Sequence, residues 1–289
     1  MDELPKWRSE FPILAETVYL ISNSLGAMPR SVYEKMREYA EMWARRGVRA
    51  WEEEWWEMPV KVGDIIAPLI GANLGEVSMH QNVSLLQAML ISCFQFTERR
   101  NKVVYSDMEF PSVAYVYQQF ARERGARIHI VKSEDSITVP LEKMLVAIDE
   151  RTLLVPISHV LFRSAYIQNA KAIIEKAHAV GATLILDAYH SVGVIPVNVK
   201  ELNVDILVGG VLKWLCGGPG GAFLYVRPDL REKLTPVITG WMAHPRPFDF
   251  EVGRMEYRRD AFRFLNGTPS IPALYAAQEG PKIINQIGV

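Results

Sequence analysis

The middle of the chain alternates short apolar runs with longer amphipathic stretches. The apolar runs are Val103–Ser106, Arg127–Val131, Leu153–Ile157, Thr183–Asp187, Asp205–Gly209 and Ala222–Val226. Most are rich in Val, Ile and Leu, as strands buried on both faces should be. Between several of them lie the helical stretches Ser112–Glu123, Pro140–Ile148 and Asn169–Val180, and Gly125 and Gly181 stand where two of these should stop. This alternation predicts an α/β fold with a mostly parallel central sheet flanked by helices. The part ahead of it reads as helical, over Ser31–Arg46, Pro59–Ile70 and Asn82–Phe96. Beyond Val226 the pattern turns irregular around Pro228, Pro236, Pro245 and Pro247, before a last helix over Ile271–Ile287. The expected division is an N-terminal helical segment over residues 1–70 and a large ligand-binding domain over 71–289.

Composition narrows the partners. At 289 residues with 49% hydrophobic and 22% charged positions, the chain can bury a sizeable core. A formal net charge of −1 offers no basic surface for nucleic acid. The two cysteines, Cys93 and Cys216, supply neither a disulfide framework nor metal-ligand spacing, so no metal is expected. No apolar run is long enough to cross a bilayer, and Met1–Lys6 lacks a basic-then-apolar signal. The expected compartment is the cytoplasm, with no membrane partner.

Four features fall at strand ends or helix starts, where open α/β sheets bind ligands. Asp187 closes the apolar run Thr183–Leu186. A carboxylate there is costly without a charged or donating partner, although an Asp in such a place also serves as a helix cap. Lys213 follows the next apolar run and is flanked by Val211, Leu212, Trp214 and Leu215. Partial desolvation would lower its pKa and favour the neutral amine that attacks an aldehyde; alone, it could equally snorkel out of an apolar patch. The run Gly217-Gly218-Pro219-Gly220-Gly221 permits tight backbone beside that lysine, or is a plain turn. Gln81-Asn82 begins a helix whose N-terminus suits a phosphate, or is simple capping. Together they compose a pyridoxal phosphate (PLP) arrangement: a Schiff-base lysine, an acidic partner for the ring nitrogen, and a phosphate cradle.

These residues resemble the class V aminotransferase group of PLP enzymes. Lys213-Trp214-Leu215-Cys216-Gly217-Gly218-Pro219 is similar to that group's lysine motif, and Asp187-Ala188-Tyr189-His190 to its aspartate motif. Within the group the chain looks most like kynureninase, through Ser22–Gly26, Phe110-Pro111-Ser112, Ser158-His159-Val160 with Tyr166, Gly240-Trp241 with His244, and Gly267-Thr268-Pro269. The resemblance implies fold type I with PLP as cofactor and a small-molecule amino-acid substrate. It implies that Lys213 carries the cofactor and shuttles protons, and that Asp187 pairs with the ring nitrogen. Phe110 would stack on the ring, Gln81 and Asn82 would hold the phosphate, and Ser158 and His190 would contact the cofactor. Trp241 and Thr268 would come from a neighbouring subunit, which implies a homodimer with shared sites. Read without the resemblance, Phe110 and Trp241 could be core aromatics, Ser158 a strand-end cap and His190 a structural histidine. Cys216 reads as structural.

Three departures bear on the activity. Leu212 stands where the family has a tyrosine, and Val113 where it has an aspartate. The family chain also continues into a C-terminal small domain that supplies an arginine for the substrate carboxylate; with the sequence ending at Val289, that domain is expected to be missing. Neither Arg163 nor Arg263 has a spacing that demands the role. The expected activity is kynureninase-like hydrolysis of the Cβ–Cγ bond of L-kynurenine or 3-hydroxykynurenine to an anthranilate and alanine. The alternatives are another class V reaction (aminotransferase, epimerase, or cysteine desulfurase/C–S lyase) and a truncated, inactive paralogue.

Overall fold

A computed structural model describes residues 4–289; Met1–Glu3, the start of the segment expected over 1–70, lie outside the described residues. Seven strands form one sheet: β1 (Val77–His80), β2 (Lys102–Ser106), β3 (Arg127–Val131), β4 (Thr152–Ser158), β5 (Thr183–Asp187), β6 (Ile206–Gly210) and β7 (Ala222–Val226). Their order across the sheet is β1-β7-β6-β5-β4-β2-β3. The pairs β2–β3, β2–β4, β4–β5 and β5–β6 are parallel, and β7 runs antiparallel to both β6 and β1. β1 therefore points the same way as the parallel strands, and only β7 is reversed.

Apart from the edge strand β3, which is partly exposed, the strands are buried on both sides, and alternate residues serve two cores. Leu184 and Leu186 of β5 join one core with Val155, Ile157, Leu207 and Phe223. Ile185 joins the other with Leu154, Ile206, Val208 and Leu224, beneath Leu86 and Leu90 of the helix Val83–Ser92. Each such aliphatic side chain contributes roughly 1.5–3 kcal/mol when fully buried. The period of two puts Asp187 on the same face as Ile185, the face roofed by Val83–Ser92.

Five of the six expected strands coincide with observed ones to within a residue at each end, and Asp205–Gly209 is shifted by one to Ile206–Gly210. β1 is an addition: four residues, Val-Ser-Met-His, too short and too mixed to stand out. The last helix is a correction. Ile271–Ile287 is two helices, Ile271–Ala276 and Glu279–Ile287. Pro281 has no N–H for the Ala277 carbonyl and its ring would collide with it, so one continuous helix cannot pass this point.

Candidate active site

The parallel strands and β1 all end at one edge of the sheet. Gln81 and Asn82 follow β1, Phe110 follows β2, Ser158 ends β4, Asp187 ends β5, and Lys213 follows β6. Seven of the nine site residues named from the sequence thus line one cavity of about 280 Å³: Gln81, Asn82, Phe110, Ser158, Asp187, His190 and Lys213. Trp241 and Thr268 are outside it. Trp241 packs edge-on against Trp56 at 4.9 Å between ring centroids, and Thr268 is exposed.

Lys213 is positioned from two directions. It lies in the connection 211–221 between antiparallel β6 and β7. The N-terminal segment also closes on it: Gly26 N–H donates to the Leu212 carbonyl at 2.8 Å. A Cβ at Gly26 would fall 2.0 Å from the Lys213 carbonyl oxygen, so only glycine allows this approach. Lys213 Nζ is 2.6 Å from His190 Nε2. It sits over two aromatic rings, 4.8 Å from the Tyr189 centroid and 5.5 Å from that of Phe110. Burial lowers the lysine pKa, while the nearby Asp187 charge raises it. Burial, reinforced by Lys213, pushes His190 down to about 4, so its ring is neutral at physiological pH.

Asp187 is 7% exposed, and burial pushes its carboxyl up to about 6. Among the described residues its carboxylate accepts one hydrogen bond, from Tyr189 N–H at 2.9 Å. A buried carboxylate facing a cavity with so little support suits a cationic N–H donor in that cavity.

The opposite end of the cavity is the first turn of the helix Val83–Ser92. The Asn82 side chain accepts from Leu85 N–H at 2.9 Å, so Asn82 caps the helix. Gln81, Asn82, Val83 and Ser84 line the cavity together with Gly220 and Gly221. Free backbone donors and the positive end of the helix dipole suit an anion there. A cationic lysine, an under-supported carboxylate, flanking aromatic rings and an anion-ready helix start fit PLP in its parts.

Sequence reading missed three residues of this site. Tyr189 lies within the aspartate motif but was given no role; it packs so tightly that a Cβ on Gly210 would meet its ring at 2.3 Å. Phe162 lines the cavity and packs edge-on against Phe110 at 5.2 Å. Glu109, immediately before Phe110, is 5% exposed and accepts from Ser158 N–H, the Ser158 hydroxyl and the Ser106 hydroxyl. A single carboxylate in a turn carries no sequence signal of burial. Leu212 and Val113 line the cavity as apolar wall.

The other candidates lie apart. Arg263 is clamped by the Leu234, Arg258 and Glu232 carbonyls at 2.7, 3.0 and 3.2 Å. Arg163 is exposed and stacks on Phe162. Cys216 lines a different cavity with Tyr19, Gly26 and Met28, and burial pushes its thiol up to about 11. Cys93 is pushed up to about 12. No cluster of metal-ligating side chains occurs among the described residues, and no described helix is long and apolar enough to cross a membrane.

Residues 18–289 match the model of the family described as Aminotransferase class-V. An "Uncharacterized aminotransferase YcbU" of Bacillus subtilis (strain 168) is 35% identical, over 100% of this chain and 75% of its own length. A "Kynureninase" of Pseudomonas fluorescens is 30% identical, over 99% of this chain and 69% of its own. A solved cysteine desulfurase from Thermococcus onnurineus NA1 superposes with a TM-score of 0.85 at 24% identity, over 99% of this chain and 71% of that one. A C-DES mutant with glycine covalently linked to its PLP cofactor superposes at 0.86 with 17% identity, over 98% of this chain and 74% of that one. At such identities these structures share the fold alone.

Proposed function

Since the chain belongs to the class V aminotransferase family, we propose that it is a PLP-dependent enzyme acting on an amino acid, with kynureninase-type hydrolysis as its reaction. The observation that carries the cofactor is Lys213 Nζ between the Phe110 and Tyr189 rings in the cavity that Asp187 also lines. When bound, PLP supplies an aldehyde carbon for amines and a ring that spreads negative charge from the substrate α-carbon.

The chain's own residues do the rest. Lys213 would hold the cofactor and would move the proton at the substrate α-carbon, with a base strength that burial lowers from that of a free lysine. His190 Nε2, 2.6 Å away, keeps the amine aimed and exchanges a hydrogen bond with it. Asp187 would hold a proton on the ring nitrogen, Phe110 and Tyr189 would orient the ring, and the helix start at Asn82 would take the phosphate. The rings and the Leu212, Val113 and Phe162 side chains give the cavity an apolar wall.

Hydrolysis of the Cβ–Cγ bond of L-kynurenine or 3-hydroxykynurenine to an anthranilate and alanine is supported by kynureninase relatives near 30% identity that span almost the whole chain. Purified protein loaded with PLP should release anthranilate from L-kynurenine. No release, with the cofactor demonstrably on Lys213, would reject the substrate while leaving the cofactor assignment intact. Amine transfer is the second reading. The YcbU relative favours it by name, and so do apolar Leu212 and Val113 where the resemblance expects polar groups. Consumption of an amino acid only when a 2-oxo acid is added would support it. Neither Cys93 nor Cys216 lines this cavity. We further read the assembly as a cytoplasmic homodimer in which Trp241 and Thr268 serve the neighbouring site. A monomer in sedimentation at assay concentration would contradict that.

A further inference from the structure

The opposite edge of the sheet carries a cation cluster that the scheme above does not use. β2, β3 and β4 begin there, one strand length from the edge that holds Lys213, or roughly 15 Å. A pocket of about 240 Å³ opens at these strand starts, and its lining includes Asn101, Lys102, Arg127, His129, Asp149 and Arg151. Backbone hydrogen bonds fix its rim. Arg127 N–H donates to the Asn101 carbonyl at 2.7 Å, and Lys102 N–H donates to the Arg151 carbonyl at 3.0 Å.

The donors here outnumber the acceptors. Lys102 Nζ is paired with Asp149 Oδ2 at 2.9 Å. Arg127 and Arg151 are exposed, and among the described residues neither guanidinium has a carboxylate partner. Two positive charges are therefore left over in the pocket lining. Burial, and then the Lys102 charge, lower the His129 pKa, so its ring is neutral at physiological pH. Asn101 is the buried member, at 9% exposure. Its Oδ1 is enclosed without a partner, and its Nδ2 makes no hydrogen bond among the described residues. A buried amide left unpaired is costly, and with Oδ1 enclosed its N–H donors are what remain for the pocket. Two guanidinium forks and an amide donor call for a group with several acceptor oxygens and two negative charges. A phosphate has both, whereas a carboxylate brings one charge and two oxygens.

We propose that this pocket binds a dianionic phosphate group, free or as a small monoester, gripped by Arg127 and Arg151 with Asn101 donating from beneath. The site is independent of the PLP reading and lies at the other edge of the sheet. The test is a calorimetric titration of the PLP-loaded protein, so that the helix start at Asn82 is not open to the titrant. Inorganic phosphate and glycerol 3-phosphate are the two probes. Ionic strength is held at about 0.15 M with chloride, which screens diffuse surface attraction.

At least one probe should saturate a single site per chain with a Kd at or below ~1 mM, and the tighter of the two tells free phosphate from ester. The double variant Arg127→Gln/Arg151→Gln should weaken that binding at least ~10-fold, the scale of lost charge-assisted hydrogen bonds. Asn101→Ala, which keeps every charge, should weaken it by several-fold. Attraction to a merely positive surface would be indifferent to that change. No saturation by about 10 mM of either probe overturns the proposal. So does a double variant that binds like the parent, and so does an Asn101→Ala protein with the parent's Tm and the parent's affinity. Should Asn101→Ala fail to fold, the exposed arginine pair carries the test alone. Should the protein refuse PLP, the PLP reading fails by itself. The protein as isolated is then titrated, and the arginine variant should lose one phosphate site while keeping any at Asn82; loss of none overturns the proposal.

Discussion

Lys213 Nζ and His190 Nε2 share a hydrogen bond at 2.6 Å in a setting that lowers the proton affinity of both groups. Only one of the two can carry the extra proton. His190, held near 4, leaves it to the lysine, and the neutral ring then accepts from it. Removal of the amine should therefore be felt in chemistry more than in folding. Lys213→Ala should abolish the visible absorbance of lysine-bound cofactor. Turnover should fall by roughly 10²–10⁴-fold, the range for a lost positioned acid–base group. Spectra and initial rates check this. A variant with the parent's spectrum would rule Lys213 out as the attachment point.

Asp187 should leave a signature in the pH dependence of the apoprotein. Its carboxyl is raised from 3.8 to about 6, so the folded chain holds that proton more tightly than the unfolded chain. Such a group loses stability as pH rises through that window, by ~3 kcal/mol at most. His190 and His80, lowered by burial, act with opposite sign in an overlapping range. The comparison must therefore be with a variant. Asp187→Asn apoprotein should gain on the parent in Tm between pH 4 and pH 6, and the same change should weaken PLP retention. A parallel pair of Tm profiles would contradict the burial argument.

Gly26 should tolerate no side chain. Gly26→Ala drives a methyl to 2.0 Å from the Lys213 carbonyl, and backbone has to move. The cost should be about 1–3 kcal/mol, as for other overpacked sites. The cofactor's absorbance should change as well, because the displaced backbone belongs to the lysine itself. A denaturant series with spectra of the folded baseline reads both effects.

Cys216 should be dispensable for catalysis. Its thiol is raised to about 11 and lines a cavity separate from that of Lys213. Cys216→Ala should keep activity within about two-fold and Tm within a few degrees. Loss of turnover with an intact cofactor spectrum would instead favour a sulfur-transfer reaction.

The sheet was legible because buried parallel strands are nearly pure Val, Ile and Leu, and Thr183–Leu186 can hardly be anything else. β1 was not, because Ser78 and His80 interrupt it and its identity depends on pairing with β7. Lys213, Asp187 and Asn82 could be picked out because strand ends and helix starts are where ligands bind. Glu109 could not: its burial is set by Ser106 and Ser158, which are distant in sequence or unremarkable near it. Tyr189 was visible as part of a motif, but its place beside the lysine depends on the close fit against Gly210.

The reversed strand β7 has a consequence for how this site can change. Lys213 hangs on a return loop whose two ends are locked into one hydrogen-bonded strand pair, with the backbone of Gly26 braced against it. An inserted or deleted residue in 211–221 would throw the lysine out of register with Asp187. Val113 and Phe162 hang on helix starts and loops across the cavity and are under no such constraint. Variation that alters substrate choice should accumulate on that wall while the lysine wall stays fixed, and a library aimed at new substrates should be built there.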